Sequence, residues 1–324
     1  MPATKRARSP PPPPPPPHPP PCADASRTAS SDGATSSEAS TSRDGEPRWT
    51  SALLAVSGSV AAVKAPELAE ALLRRGVSVD VVLTEAAYAL LQASYRGTKP
   101  WDALQALARA FAPEGGSGSG DSGGGGGGDG GGDSCGGAAA EAEADRCRVS
   151  LLRPVLRIYR DADEWRDYTA VGADPVLHIE LAKRNKLLLI APLCANTLAA
   201  AALGLCHNLL GSVLRAWYYD LDPAFAAPLA ERYGAHAVNR PVLVAPAMNT
   251  FMWHQRVTAS HLATLEARGV RLIDPIRKTL ACGDTGLGAM AEVPTVVTAA
   301  LALLSEHAAA ERAADAAGKP VFVP

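Results

Sequence analysis

Residues 51–83 read SALLAVSGSVAAVKAPELAEALLRRGVSVDVVL, and the order of elements in this stretch decides the fold. Ala52–Ser57 is an apolar run of the length of a buried strand. Gly58-Ser59-Val60 follows as a tight turn. Val60–Arg75 has helical spacing, with Val63, Leu68 and Leu72 near one face and Gly76 in the C-cap position. Val77–Leu83 is a second buried strand, and Thr84 stands where it caps the next helix. A strand, a helix and a strand in this order make a right-handed βαβ unit, so the sheet is parallel.

Outward from this unit the alternation continues. Helices are expected at Trp101–Phe111 and Val176–Arg184 and through 197–216, with strands at Val155–Tyr159 and Leu187–Ala191. A strand at Pro241–Ala245, a helix at Thr258–Arg268 ended by Gly269 and a strand at Val270–Ile273 follow. A helix at Pro294–His307 closes the domain, and 309–324 is expected to be a loose tail. Strands alternating with helices predict a three-layer α/β domain with a mostly parallel sheet.

The chain has 324 residues, but 12 of its 27 prolines lie in 1–21 and 15 of its 29 glycines in 115–137. Residues 1–48 are expected to be a disordered Pro/Ser-rich tail, and 113–147 a flexible Gly-rich insert in a domain spanning 49–308. A net charge of −2 argues against a nucleic-acid partner. No apolar run of membrane-spanning length and no signal peptide is visible. Six cysteines (22, 135, 147, 194, 206, 282) without CxxC spacing point to free thiols in a reducing, cytoplasmic setting. Lys5-Arg6-Ala7-Arg8 is a weak match to a nuclear address.

Ligands of an open α/β sheet gather beyond the carboxyl ends of its strands, and several polar motifs fall there. Gly58-Ser59-Val60 suits a phosphate at a helix start, and equally suits a plain turn. Asn196-Thr197 and Asn249-Thr250 read as helix caps and as ligand contacts alike. Residues 280–292, LACGDTGLGAMAE, have three glycines in six residues and read as a mobile loop, with Cys282 equally a reactive group brought to a site or a structural cysteine. His178, at a helix start, reads by itself first as a half-buried structural histidine. The histidines show no metal-ligand spacing, so no metal is expected.

Six stretches together carry a resemblance: AVSGSVAAVKAPEL (55–68), DPVLHIEL (174–181), APLCANTL (191–198), LGLCHNLL…RAW (203–217), PAMNTFMW (246–253) and ACGDTGLGAMAE (281–292). With them the chain resembles the flavin-dependent cysteine decarboxylases, in their eukaryotic coenzyme A branch, from about Ser51 to Ser305. The resemblance implies a flavodoxin-like (Rossmann-like) αβα sandwich, a homotrimer, FMN, and decarboxylation of 4′-phosphopantothenoylcysteine to 4′-phosphopantetheine. It implies FMN contacts at Gly58, Ser59, Val60, Thr84, Glu85, Ala86, Ala195, Asn196, Thr197, Leu198 and Met248. It implies His178, Asn249 and Cys282 as catalytic residues, and Asn249, Thr279, Ala281 and Met290 as substrate contacts. In that chemistry, oxidation of the substrate thiol supplies a thioaldehyde as electron sink, and the enethiolate left after CO2 departs is protonated by Cys282.

Tyr218–Arg240 is longer than the family's usual link, and Ala182-Lys183-Arg184-Asn185-Lys186 departs from its pattern. The chain lacks room for the second domain of bacterial relatives, so a monofunctional enzyme is expected. Two other readings stay open: an inhibitory subunit of a type-1-like protein phosphatase, which the long N-terminal extension suits, and a peptidyl-cysteine decarboxylase.

Overall fold

The computed structural model describes residues 50–113, 153–279, 283 and 285–322. The chain divides into units Met1–Glu38 and Ala39–Pro324, and the described residues all belong to the second. The expected N-terminal tail with its basic cluster, most of the Gly-rich insert, and Cys22, Cys135 and Cys147 lie outside them.

The sheet holds β1 (Ser51–Val56), β2 (Ser78–Leu83), β3 (Leu156–Arg160), β4 (Leu187–Leu193), β5 (Val242–Pro246) and β6 (Arg271–Leu272). Its order is β3-β2-β1-β4-β5-β6, and every pairing is parallel. A second, antiparallel pair is β7 (Ile276–Thr279) with β8 (Thr285–Ala289).

The strands read as continuous apolar runs because both faces are covered. Ala52, Leu54 and Val56 point to one face, where α1 (Ala65–Leu73), α2 (Glu85–Gln92), α3 (Pro100–Ala110) and α10 (Val293–Ala316) bury Leu68, Leu91, Leu104 and Val296. Leu53 and Ala55 point to the other, covered by α4 (Leu177–Arg184), α5 (Ala195–Leu203), α6 (Leu209–Ala216) and α9 (Arg256–Ala267). The three-layer α/β reading is thus the observed architecture.

Four differences from the expected elements have local causes. The helix drawn over Val60–Arg75 begins as a 3-10 turn, Val60–Lys64, and becomes α1 with Pro66 in its first turn. The last helix runs on to Ala316, because AAAERAADA is strong helix-forming sequence. Phe322 beyond it packs edge-on to Tyr218 and Tyr233, so 309–322 is not a loose tail. Residues 285–289 form a strand, for reasons given below. By length and composition α10 suffices to cross a membrane, yet its Val293, Val296, Ala300 and Leu304 are buried in the domain.

The long link between α6 and β5 holds α7 (Pro223–Tyr233), capped by the Asp222 carboxylate, and none of its residues is buried. Its two ends meet: the Arg240 N–H donates to the Tyr218 carbonyl at 2.8 Å. The Arg240 guanidinium is buried and donates to the carbonyls of Ala182, Lys183 and Asn185, the end of α4. The unusual Arg184-Asn185 pair also has a role, since both donate to the buried carboxylate of Asp80 at 2.8 Å.

Candidate active site

The chain order reverses beside β1: α1 leaves it towards one face, and α5 leaves β4 towards the other. That divergence opens a crevice at the carboxyl ends of β1 and β4. Ser57 holds its walls together. Its hydroxyl donates to the Pro192 carbonyl at 2.7 Å and accepts the Cys194 N–H at 2.8 Å, while its own N–H also reaches Pro192.

Gly58 and Ala86 meet on one side of this crevice. A Cβ at Gly58 would lie 2.6 Å from the Ala86 Cβ, so only glycine lets the β1 turn approach the start of α2. Thr84 caps α2, accepting the Ala87 N–H at 3.2 Å, and its own N–H donates to Val56. Ser59 is half-buried, whereas Val60, Glu85 and Ala86 are exposed. The Asp161 carboxylate, just past β3, accepts the N–H of Glu85 and that of Leu209, tying the starts of α2 and α6 together.

Across the crevice Cys194 is the N-cap of α5 but makes no side-chain cap bond; its thiol donates to the Thr197 hydroxyl at 3.4 Å. Asn196 is exposed and Ala195 half-buried. Leu198 is buried in the core, so any ligand contact there is through its main chain.

At the end of β5, Asn249 caps α8 (Thr250–Trp253), its Oδ1 accepting the Phe251 N–H at 2.8 Å. The buried Met248 donates its N–H to the Gly288 carbonyl at 2.9 Å. This contact overturns the reading of the whole Gly-rich segment as a mobile loop. A side chain at Gly286 would collide with Thr250, and one at Gly288 with the Met248 carbonyl, so these glycines let β8 lie against the Asn249 turn. Thr279 is exposed and its hydroxyl is 3.0 Å from that of Thr285. The Met290 side chain is buried in the core among apolar residues, so any substrate contact there is through its main chain. Ala281 and Cys282 lie outside the described residues.

His178, the second residue of α4, is half-buried, and its Nδ1 is 2.5 Å from Oε1 of Glu164. Glu164 follows β3, whereas Asn249 follows β5. Three strands lie between, so the strands that anchor the two groups are about 19 Å apart at the usual spacing. The structure therefore gathers the positions at 58–60, 84–86, 195–198 and 248–249 along one edge, and anchors His178 at its far end.

Sequence reasoning missed Ser57, Asp161, Glu164 and Arg240. The signal for Asp161 and Glu164 was present: an acidic run, Asp161-Ala162-Asp163-Glu164, directly after a strand. Ser57 and Arg240 carried none, being single polar residues beside strands.

The chain matches the family described as Flavoprotein over residues 39–305. It is 45% identical over 152 residues to a probable phosphopantothenoylcysteine decarboxylase of Arabidopsis thaliana, which covers 47% of this chain and 65% of that one. It is 47% identical over 150 residues to the phosphopantothenoylcysteine decarboxylase of Mus musculus, covering 46% and 64%. The chain thus spans just under two thirds of the length of these curated relatives. Its fold is similar to a solved PPC decarboxylase mutant complexed with pantothenoylaminoethenethiol, with a TM-score of 0.52, 33% identity and coverage of 80% of this chain and 100% of that one. It is also similar to the FMN binding protein AtHal3, with a TM-score of 0.51, 32% identity and coverage of 80% and 98%. With its parallel sheet, its crevice and a family match over most of its length, the chain belongs to the flavoprotein family.

Proposed function

We propose that the protein binds FMN and decarboxylates 4′-phosphopantothenoylcysteine to 4′-phosphopantetheine. The observation that carries this is the crevice itself, in which the Gly58–Ala86 approach, the α5 start and the Asn249 turn share one edge of the sheet. The named relatives and the pantothenoylaminoethenethiol complex support the substrate class.

The residues present fit a flavin phosphate and ring. Gly58 lets the β1 turn approach the start of α2, which puts the main chain at 58–60 and 85–86 and the half-buried Ser59 on one side of the crevice. Gly58, Ser59, Val60, Glu85 and Ala86 would hold the phosphate side, and 195–198 with Met248 the ring side. Bound FMN would supply the two-electron oxidation of the substrate thiol and its reversal.

The chain's own residues do the rest. The cap bond fixes Oδ1 of Asn249 on its helix, so its amide nitrogen is the end that donates to the substrate carboxylate and sets its angle. A neutral amide orients that carboxylate without the stabilisation of a cation, which would oppose loss of CO2. His178 moves a proton at its imidazole during thiol oxidation, and Cys282 protonates the enethiolate carbon. Assembly as a homotrimer completes the site, and the wide spacing between the strand leading to Glu164, the partner of His178, and the strand leading to Asn249 supports this. The protein's expected setting is reducing and cytoplasmic; among the described residues the thiols of Cys194 and Cys206 are free.

The test is mass spectrometry of the products after the purified protein meets 4′-phosphopantothenoylcysteine. A product lighter by one CO2 is expected from the wild type, and Cys282→Ser should stall after CO2 loss with no 4′-phosphopantetheine. Unchanged substrate with flavin-loaded protein overturns the proposal in favour of the phosphatase-inhibitor reading.

A further inference from the structure

We infer that Glu164 is a positioning residue for His178, fixing which ring nitrogen carries the proton and which one works on the substrate. The inference rests on the decarboxylase reading for its consequence and on geometry for its substance. Glu164 and His178 are 14 residues apart and in different elements, yet Oε1 and Nδ1 are 2.5 Å apart. The Glu164 side chain is 7% exposed and that of His178 22%, so the carboxylate is the inner partner and the imidazole the outer one.

A carboxylate accepts and does not donate, so the hydrogen on the shared line belongs to Nδ1. The neutral ring is thereby held as the Nδ1–H tautomer, with the lone pair on Nε2 at the far side of the ring. Nε2 is then the atom that takes a proton when the substrate thiol is oxidised. The imidazolium formed is balanced by the buried carboxylate behind it, so the proton on Nε2 needs no second acceptor. Among the described residues, the bonding partner of the Glu164 side chain is this one imidazole. Burying a carboxylate with a single imidazole as its side-chain partner is weak support for stability, which argues for a use in the reaction.

The pair is also built on a firm base. The Glu164 N–H donates to the Asp161 carbonyl, and the Asp161 carboxylate in turn receives the starts of α2 and α6. The Asp163 carboxylate closes the same turn by accepting the Arg160 N–H at 2.8 Å. The imidazole orientation is therefore referred to the same edge of the sheet that carries the crevice.

The test uses the full chain with FMN and two variants, Glu164→Gln and Glu164→Asp. Nitrogen-15 NMR of the histidine rings, with His178 assigned from His178→Asn, reads the tautomer without any turnover. The wild type should show Nδ1–H. Glu164→Gln, whose amide both donates and accepts, should give a mixture of tautomers, with kcat falling between about tenfold and a hundredfold and KM within about threefold. Glu164→Asp retains the carboxylate and should keep the tautomer while losing part of the rate. An unchanged tautomer and a kcat within about twofold in Glu164→Gln overturns the inference. If Glu164→Gln does not fold, a tautomer mixture in Glu164→Asp overturns it, and retained Nδ1–H with reduced kcat supports it. A wild type that releases no CO2 defeats the decarboxylase reading instead, and the tautomer measurement still decides the role of Glu164.

Discussion

Both edges of the sheet carry polar groups and use them in opposite ways. Around the crevice at the carboxyl edge, Ser57, Thr84 and Asn249 are each anchored singly, Ser57 across the strand ends and the other two on their helices. At the amino edge the polar groups are charged and answer one another around a cavity of about 320 Å3 lined by Lys186, His236, Arg240, His307 and Glu311. Lys186 and Glu311 pair at 2.5 Å, and Arg240 is spent on three carbonyls of the α4 end. Anchoring by caps and turns leaves a crevice able to receive a ligand. Mutual neutralisation under α10 leaves a support for the domain. Residue type alone does not separate a binding edge from a structural one; the partner of each group does.

The sharpest way to break this contrast is Gly58→Ala. Its Cβ has no room against Ala86, so the turn or α2 must move. Loss of flavin uptake is expected in titrations followed by flavin absorbance, with a stability cost of about 1–3 kcal/mol from overpacking. Full flavin binding by this variant would show that the crevice tolerates what the geometry forbids.

A smaller effect is expected at the amino edge, on stability alone. Burial pushes His307 down to about 4 from its ordinary 6.5; Lys186, His236 and Arg240 push the same way, and Glu311 opposes them. The unfolded imidazole therefore binds its proton near 6.5 and the folded one only near 4. Between these values the unfolded chain holds more protons, so stability falls as pH drops through this window and levels off below it. Glu311, which burial pushes up but Lys186 draws further down, loses its own contribution only below its ordinary 4.5. His307→Gln should flatten the melting-temperature profile between pH 7.5 and 5 by about 4 °C, with flavin binding untouched. A profile as steep as the wild type's would remove His307 from the account.

The smallest effect is expected in the link between α6 and β5. Because Tyr218 and Arg240 meet at 2.8 Å, replacing Pro223–Tyr233 by a short Gly/Ser linker should alter stability by no more than about 1 kcal/mol, measured by urea unfolding. Flavin binding should be unchanged. Its loss would show that this helix serves the other edge of the sheet.

Much of this was legible in the sequence, for reasons the structure makes plain. The parallel strands announce themselves because both faces are buried, and Gly76, Thr84 and Gly269 mark helix ends at the places expected. Asn249 was legible as a cap, which it is. The 285–289 strand was not, since glycine usually weakens a strand and here reflects a neighbour, Thr250 and Met248, that no local pattern reveals. Glu164 stood in a visible acidic run, but its pairing was hidden, because that depends on His178, which chain folding brings within bonding distance.

Ser57 gives the crevice a property of another kind. One hydroxyl, used at once as donor and acceptor, rivets the end of β1 to the end of β4. The two walls then move as a single body on the timescale of local fluctuations. The gap between them has a fixed gauge, set before any ligand arrives, and a ligand that fits it need not first halt the motion of its own binding site.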